Sequence, residues 1–157
     1  MKPRIMPLEE LLVELEGEHD EVCYELSRAE TELENFNYAG VEEDFRRIVK
    51  LLSQHTIDEQ RSLLGYLIEK LGREWSVDDI KVMRGQTKIV NLINNLAKAI
   101  SDGKGISLLD LENLKALLGE QFDAEQSLYK KASSIAESEL KKRYDIDIDR
   151  YVNEGGK

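Results

Sequence analysis

The sequence has few of the residues that cross-link or interrupt a chain. One cysteine, Cys23, and two prolines occur in 157 residues, so no disulfide can form within the chain. Aromatic residues make up only 6%, and the absence of any run of about 18 apolar residues predicts that nothing spans a membrane. With 41% hydrophobic and 34% charged residues, this composition favours a helical, soluble protein over a sheet protein.

Positive charge is also scarce. The chain has 22 basic and 32 acidic residues, a net charge of −10. Such a chain repels nucleic acid phosphates and anionic lipid surfaces, so we expect neither as a partner. The N-terminal stretch "MKPRIMPLEELLVELEGEHD" becomes acidic too early for a secretory signal. We therefore expect a cytoplasmic protein with one domain.

Apolar residues recur at steps of three and four along four stretches, which is the period of one helix face. Start and stop signals predict helices over about 7–36 and 41–72, a third from about 76 to "SDGKG", and a fourth from Ser107. The apolar seams are Leu8, Leu12, Leu15, Val22, Leu26, Ala29 and Leu33; Phe45, Ile48, Leu52 and Tyr66; Val82, Ile89, Ile93, Leu96 and Ile100; and Leu111, Leu114, Leu118, Leu128, Ala132 and Ile135.

Short connections between four such helices predict an all-α, up-down-up-down antiparallel four-helix bundle. We assign residues 1–157 to one domain, with a bundle core at about 7–142. The remaining 143–157 form a C-terminal extension, which either prolongs the last helix or covers one end of the bundle.

Polar side chains interrupt every seam near its middle. They are His19 on the first helix, His55 and Glu59 on the second, Gln86 on the third, and Gln121 and Glu125 on the fourth. At a rise of about 1.5 Å per residue, their distances from the turns place them within about 3 to 4.5 Å of one height. We therefore predict one buried polar layer, which is costly unless its members are paired.

The two halves of the chain repeat this pattern with an offset of 66 residues. "LLSQHTIDEQ" at 51–60 aligns with "LLGEQFDAEQ" at 117–126, so Glu59 matches Glu125 and His55 matches Gln121. The i, i+4 spacing of His55 and Glu59 presents both side chains from one helix face. An imidazole and a carboxylate are good ligands for iron, zinc or manganese.

These residues resemble the hemerythrin-like, or HHE cation-binding, family over roughly 7–140. The family pattern is His on the first helix, HxxxE on the second, His on the third, and HxxxE or HxxxxD on the fourth, on a duplicated four-helix bundle that usually holds two irons. "EHDE" and "HTIDE" match it with His19, His55 and Glu59, and "QFDAE" matches it with Glu125. The resemblance implies that these four residues hold one or two transition-metal ions, with iron favoured over manganese and zinc. It also implies roles in iron or oxygen sensing, metal storage, or handling of reactive species.

The second half departs from the family pattern, since Gln86 and Gln121 stand where it has histidines. Both are expected to be hydrogen-bond partners more than ligands, because an amide oxygen is a weak donor. Classical oxygen carriers also have a second histidine one turn away on the third helix, where this chain has Val82 and Val90. We therefore expect no reversible oxygen transport.

Two alternatives stay open. The polar layer could be metal-free and fully hydrogen-bonded, in a bundle that serves as a non-enzymatic interaction or scaffold module. The bundle could also act as a homodimer or bind a protein partner. No nucleophile–base pair or phosphate loop is visible, so the sequence favours no enzymatic reaction.

Side chains near the layer are assigned ordinary roles. Glu18 and Asp58 are expected to be solvated, and Cys23 to pack as a small hydrophobe. Core packing is favoured for Tyr66 and Tyr129 over hydrogen bonding to the ligands.

Overall fold

The computed structural model describes residues 1–72 and 77–155, and within them the chain is helical and has no β-strand. The helices are α1 (Leu8–Glu34), α2 (Tyr38–Asp58), α3 (Leu64–Leu71), α4 (Val77–Ser101) and α5 (Leu108–Gly155). A π-helical turn, Glu59–Leu63, joins α2 to α3, so the described residues form four helical segments. The all-α class is confirmed for the described residues, among which no helix is apolar enough to cross a bilayer.

Local sequence explains where the helices begin and end. The Asn37 side chain accepts a hydrogen bond from the Gly40 backbone N–H at the start of α2. Ser107 and Asp110 exchange reciprocal bonds at the start of α5, as predicted. Gly72 follows α3 and Gly103 follows α4, with φ of +62° and +76°, a left-handed conformation that glycine adopts without strain.

The π-helical turn is a feature that the apolar periodicity does not predict. It begins at Glu59, one of the two carboxylates of the polar layer. A π-turn inserts residues into a helix and rotates the subsequent helical turns about the axis, and it occurs frequently at functional sites. Leu63, its last residue, and Leu64 and Leu67 in α3 are all buried in the core.

The helices enclose a core that the polar layer divides in two. Helix α1 packs against α2 and α5, and α4 packs against the same two helices. One apolar cluster includes Val22, Phe45, Leu52, Ile89, Leu118 and Phe122, and the other includes Leu15, Leu63, Val82, Leu128 and Tyr129. Along each segment the polar residues lie between members of the two clusters.

Most predicted seam residues are buried. Five lie partly exposed against the clusters: Leu8, Tyr66, Leu96, Ile100 and Ile135. The extension after residue 142 continues α5 through Gly155, and Tyr144 and Tyr151 on it are exposed. Of the two predicted arrangements, the structure has the prolonged last helix.

Candidate metal centre

His19, His55, Glu59 and Glu125 meet at the middle of the core. One ligand atom from each lies within 4.8 Å of the others. Their side chains are nearly inaccessible, with 6% of His19 exposed and no more than 2% of the other three. The four residues come from α1, α2, the π-turn and α5, which belong to three of the four segments.

Each histidine Nε2 faces one carboxylate. His19 Nε2 lies 2.9 Å from Oε2 of Glu125, and His55 Nε2 lies 2.6 Å from Oε1 of Glu59. Nε2 of His55 is also 3.5 Å from the same Oε2 of Glu125. Both rings therefore direct a nitrogen at the same small space as one oxygen of each carboxylate.

Gln86 binds the two carboxylates from their other side. Its amide nitrogen donates to Oε2 of Glu59 and, over 2.8 Å, to Oε1 of Glu125. The inner oxygens of these carboxylates thus face the histidines, while the outer ones are occupied by Gln86.

Gln121 lies at the edge of the layer. Its amide nitrogen donates to the Val82 carbonyl oxygen over 2.7 Å and to Oε1 of Glu125 over 3.2 Å. At 9% it is the most exposed of the six polar residues. Its contacts also agree with hydrogen bonding to a carboxylate.

The prediction for Tyr129 was wrong in part, because the side chain packs in the core as expected but its hydroxyl also belongs to the layer. It donates to Oε1 of Glu59 and lies 3.3 Å and 3.4 Å from Nε2 of His19 and His55. The spacing held a signal for this, since Tyr129 follows Glu125 by four residues on the same helix face. The hydroxyl of Tyr66, by contrast, is buried without a hydrogen-bond partner.

Aromatic contacts fix the first histidine. The ring of His19 stacks on Phe122 with centroids 4.0 Å apart and an interplanar angle of 14°. Phe122 directly follows Gln121, and no sequence signal marked it. This stacking restricts rotation of the imidazole and keeps its Nε2 directed at Glu125.

Glu18 and Asp58 were predicted to be solvated, and this was wrong as well. They are 5% and 0% exposed, and Arg4, from the segment before α1, pairs with both. The Arg4 guanidinium lies 2.5 Å from Glu18 and 2.6 Å from Asp58, and its backbone N–H donates to Asp58 over 2.7 Å. A residue outside the helices thus provides the partner that helix periodicity cannot reveal.

The prediction that Cys23 packs as a small hydrophobe was also wrong, because its side chain is exposed. It follows His19 by four residues on α1 but lies at the exposed edge of that face, between the buried Val22 and the exposed Tyr24.

Burial and close charges determine protonation in the layer. Burial lowers the pKa of His55, but the carboxylates of Glu125, Glu18 and Glu59 outweigh it and raise the pKa to about 12. Burial raises the pKa of Glu125, yet hydrogen bonds from the two histidines lower it well below its usual range. Burial, together with the charge of Glu125, raises the pKa of Glu59. Without a metal the layer thus contains an imidazolium and at least one carboxylate.

The donor set fits a transition metal. Ligand bonds of about 2.0 to 2.2 Å separate neighbouring donor atoms by roughly 3 to 3.5 Å, so the two shortest His–Glu pairs must widen by only a few tenths of an ångström to about one. Two carboxylates balance the charge of one divalent cation. Nδ1 of His55, the nitrogen that points away from the two carboxylates, lies 3.7 Å from Oε1 of Glu18.

No protein-family model, curated protein or solved structure matches the chain.

Proposed function

We propose that the chain is a hemerythrin-like four-helix bundle that binds one transition-metal ion through His19, His55, Glu59 and Glu125. Iron is the favoured metal, with manganese and zinc as alternatives. The observation that carries the proposal is the convergence of four buried donor atoms within 4.8 Å of one another.

The order of the apolar clusters supports an up-down-up-down topology. Along α1 the chain passes from the cluster of Leu15, through His19, to the cluster of Val22. From α2 to α3 it passes in the opposite direction, from Leu52 to Leu63, and α4 and α5 alternate in the same way. Successive segments thus cross the polar layer in opposite directions, as in an antiparallel bundle.

The positions of the two glutamines favour one ion over two. A second ion would need the outer oxygens of Glu59 and Glu125, and Gln86 donates hydrogen bonds to both of these. The residues that match family histidines in the second half are amides. They hold the carboxylates in place and are poor replacements for imidazole ligands.

A bound ion would supply Lewis acidity and, for iron or manganese, one-electron redox chemistry. The protein's own residues exclude water and orient the ligands. The two apolar clusters exclude water from both sides of the layer, Tyr129 donates to Glu59, and Phe122 restricts His19. These features suit a sensor or a protein that stores metal or handles oxygen species.

Elemental analysis of protein purified without a histidine tag or chelator tests the proposal. We expect one equivalent of metal per chain in the wild type and a loss of it in His55→Ala. Glu112→Ala, on the exposed face of α5, is the matched control and should retain the metal. Less than about a tenth of an equivalent in the wild type, after reconstitution with ferrous iron, manganese and zinc, would contradict metal binding.

A metal-free interaction module is the second candidate, and the dense hydrogen bonding of the layer favours it. Gln86, Gln121 and Tyr129 satisfy the carboxylates without an ion. In that case neither added metal nor chelator changes the stability of the wild type or of His55→Leu, although the substitution itself destabilises because it leaves buried carboxylates without their cation. If metal binds, the same substitution removes the stabilisation of about 2.7 kcal/mol that a ligand at about 100 times its Kd provides.

A further inference from the structure

A groove between α4 and α5 leads from the surface to the polar layer. Its volume is about 710 Å³. Val82, Gly85 and Ile89 line it from α4, and Ala124 and Leu128 line it from α5. Gln121 also lines it, and is the only one of the six layer residues that does so.

A small void also borders Gln121. It measures about 10 Å³ and is bordered by Gln86 and Glu125, which leaves room for about one water molecule. Gln121 and Ile89 line both the groove and the void. The Gln121 side chain therefore lies between the groove and the void that borders Gln86 and Glu125.

Gly85 makes space for this side chain. A Cβ atom at position 85 would lie 2.0 Å from Oε1 of Gln121, so any other residue would displace the amide. Only two hydrogen bonds, to the Val82 carbonyl and to Glu125, hold Gln121 inward. If it swings into the groove, its own volume is added to the void and a path to Glu125 opens.

The groove carries positive charge on an acidic protein. Three lysines line it, against the two carboxylates of Asp79 and Glu120, while the whole chain has a net charge of −10. Lys81 and Lys88 are on α4, and Lys131 is 3.1 Å from Asp79. The positive charge of the groove attracts small anions, whereas the acidic remainder of the surface repels them.

We propose that the α4/α5 groove is the access route by which a small anion of a few atoms reaches the metal layer, with Gln121 as its gate. The inference rests on the proposed function and names the class of exogenous ligand for that site. This role gives a reason for glutamine at position 121, where the family pattern has histidine. A glutamine not bound to metal can move aside, whereas a ligand histidine cannot.

Azide binding to the cobalt(II)-loaded protein tests the route, since it can be followed by stopped-flow absorption. Ala124→Phe fills the groove beside Gln121 and should slow azide association by about tenfold or more, whereas Gln121→Ala should speed it by a similar factor. Ala136→Phe is the matched control, because Ala136 lines a different cavity on α5, and its rate should stay within about twofold of the wild type. Equal rates in Ala124→Phe and the wild type would overturn the route.

A second readout needs no metal. Hydrogen exchange of the Gln86 side-chain amide, measured by NMR in the metal-free protein, reports how water reaches the void. Exchange should be faster in Gln121→Ala and slower in Ala124→Phe, with Ala136→Phe unchanged. Unchanged exchange in both groove variants would refute the gate even if metal binds. If these shifts occur but the wild type takes up no metal, the metal proposal fails and the gated path stands.

Should Ala124→Phe fold poorly, Ser127→Trp replaces it. Ser127 is exposed and lines the same groove, so a bulky side chain there obstructs the groove without entering the core. It should slow both azide association and amide exchange, and normal values of both would count against the route.

Discussion

Oε1 of Glu18 lies 2.5 Å from the Arg4 guanidinium and 3.7 Å from Nδ1 of His55. The carboxylate thus stands between an N-terminal cation and the ring nitrogen of a candidate ligand. A metal-bound histidine usually donates its other N–H to such an acceptor, which fixes the ring. Nδ1 of His55 has no hydrogen-bond partner. The Glu18 carboxylate is the group placed to accept a hydrogen bond from it when His55 binds a metal.

Replacing Arg4 should therefore destabilise the fold. Arg4→Ala leaves the buried carboxylates of Glu18 and Asp58 without their cation, and we expect a loss of about 2 to 4 kcal/mol in the free energy of unfolding of the metal-free protein. Arg46→Ala is the control. The Arg46 side chain is 73% exposed in an i, i+4 pair with Glu42, so its loss should cost less than about 1 kcal/mol. Equal losses of unfolding free energy in urea denaturation would show that the buried Arg4 pairs stabilise the fold no more than an exposed pair does.

Removing the Tyr129 hydroxyl should weaken the layer. Tyr129→Phe keeps the ring but takes one donor from Glu59, at a cost of about 1 to 3 kcal/mol in the metal-free protein. Metal affinity should fall by about 10- to 100-fold, the range for lost partners of metal ligands. Tyr24→Phe, at a residue that is 63% exposed, should change neither quantity. Calorimetric metal titration and urea denaturation of both variants check this. Wild-type values for Tyr129→Phe would show that Tyr129 contributes by core packing alone.

Two glycines in helices offer a matched pair. A Cβ at Gly119 meets nothing within 4 Å, so Gly119→Ala should stabilise α5 by about 0.5 to 1 kcal/mol. Gly85→Ala has the same helical gain but displaces Gln121, whose Oε1 would lie 2.0 Å from the new atom. We expect a net loss of stability, measured by thermal unfolding. A stabilised Gly85→Ala would mean that Gln121 moves aside without cost.

Asp44 should make stability depend on pH. Its side chain is 2% exposed and Oδ2 has no hydrogen-bond partner. Burial raises the pKa of Asp44 above its ordinary 3.8, although Arg28 and Arg47 act in the opposite direction. The folded state thus binds this proton more tightly than the unfolded chain. The resulting penalty is absent below pH 3.8 and grows as pH rises through the folded-state pKa.

The neutral variant Asp44→Asn removes that penalty. It should stabilise the protein at pH 7, and the gain should disappear as the pH falls below the pKa of the carboxyl. Urea denaturation of both proteins across this range measures the difference. A destabilised Asp44→Asn at pH 7 would show that the 3.1 Å contact with Arg47 outweighs the cost of burial.

Much of the fold and the layer could be read from the sequence because helical periodicity is local. Steps of three and four located the four segments, and the heights of His19, His55, Glu59 and Glu125 followed from a constant rise per residue. The same rule would have included Tyr129, one turn after Glu125. It was assigned to the core because a tyrosine on an apolar seam is ordinarily a packing residue.

The sequence by itself determined the helices, the buried face of each, and the presence of a polar layer at their middle, since each depends on neighbours within a few turns. Only the tertiary structure decided which atoms meet. The pairing of Arg4 with Glu18 and Asp58, the use of both outer carboxylate oxygens by Gln86, and the position of Gln121 between groove and void all join residues far apart in the chain. Such contacts depend on how the helices are rotated and packed, and the period of a single helix carries no information about that.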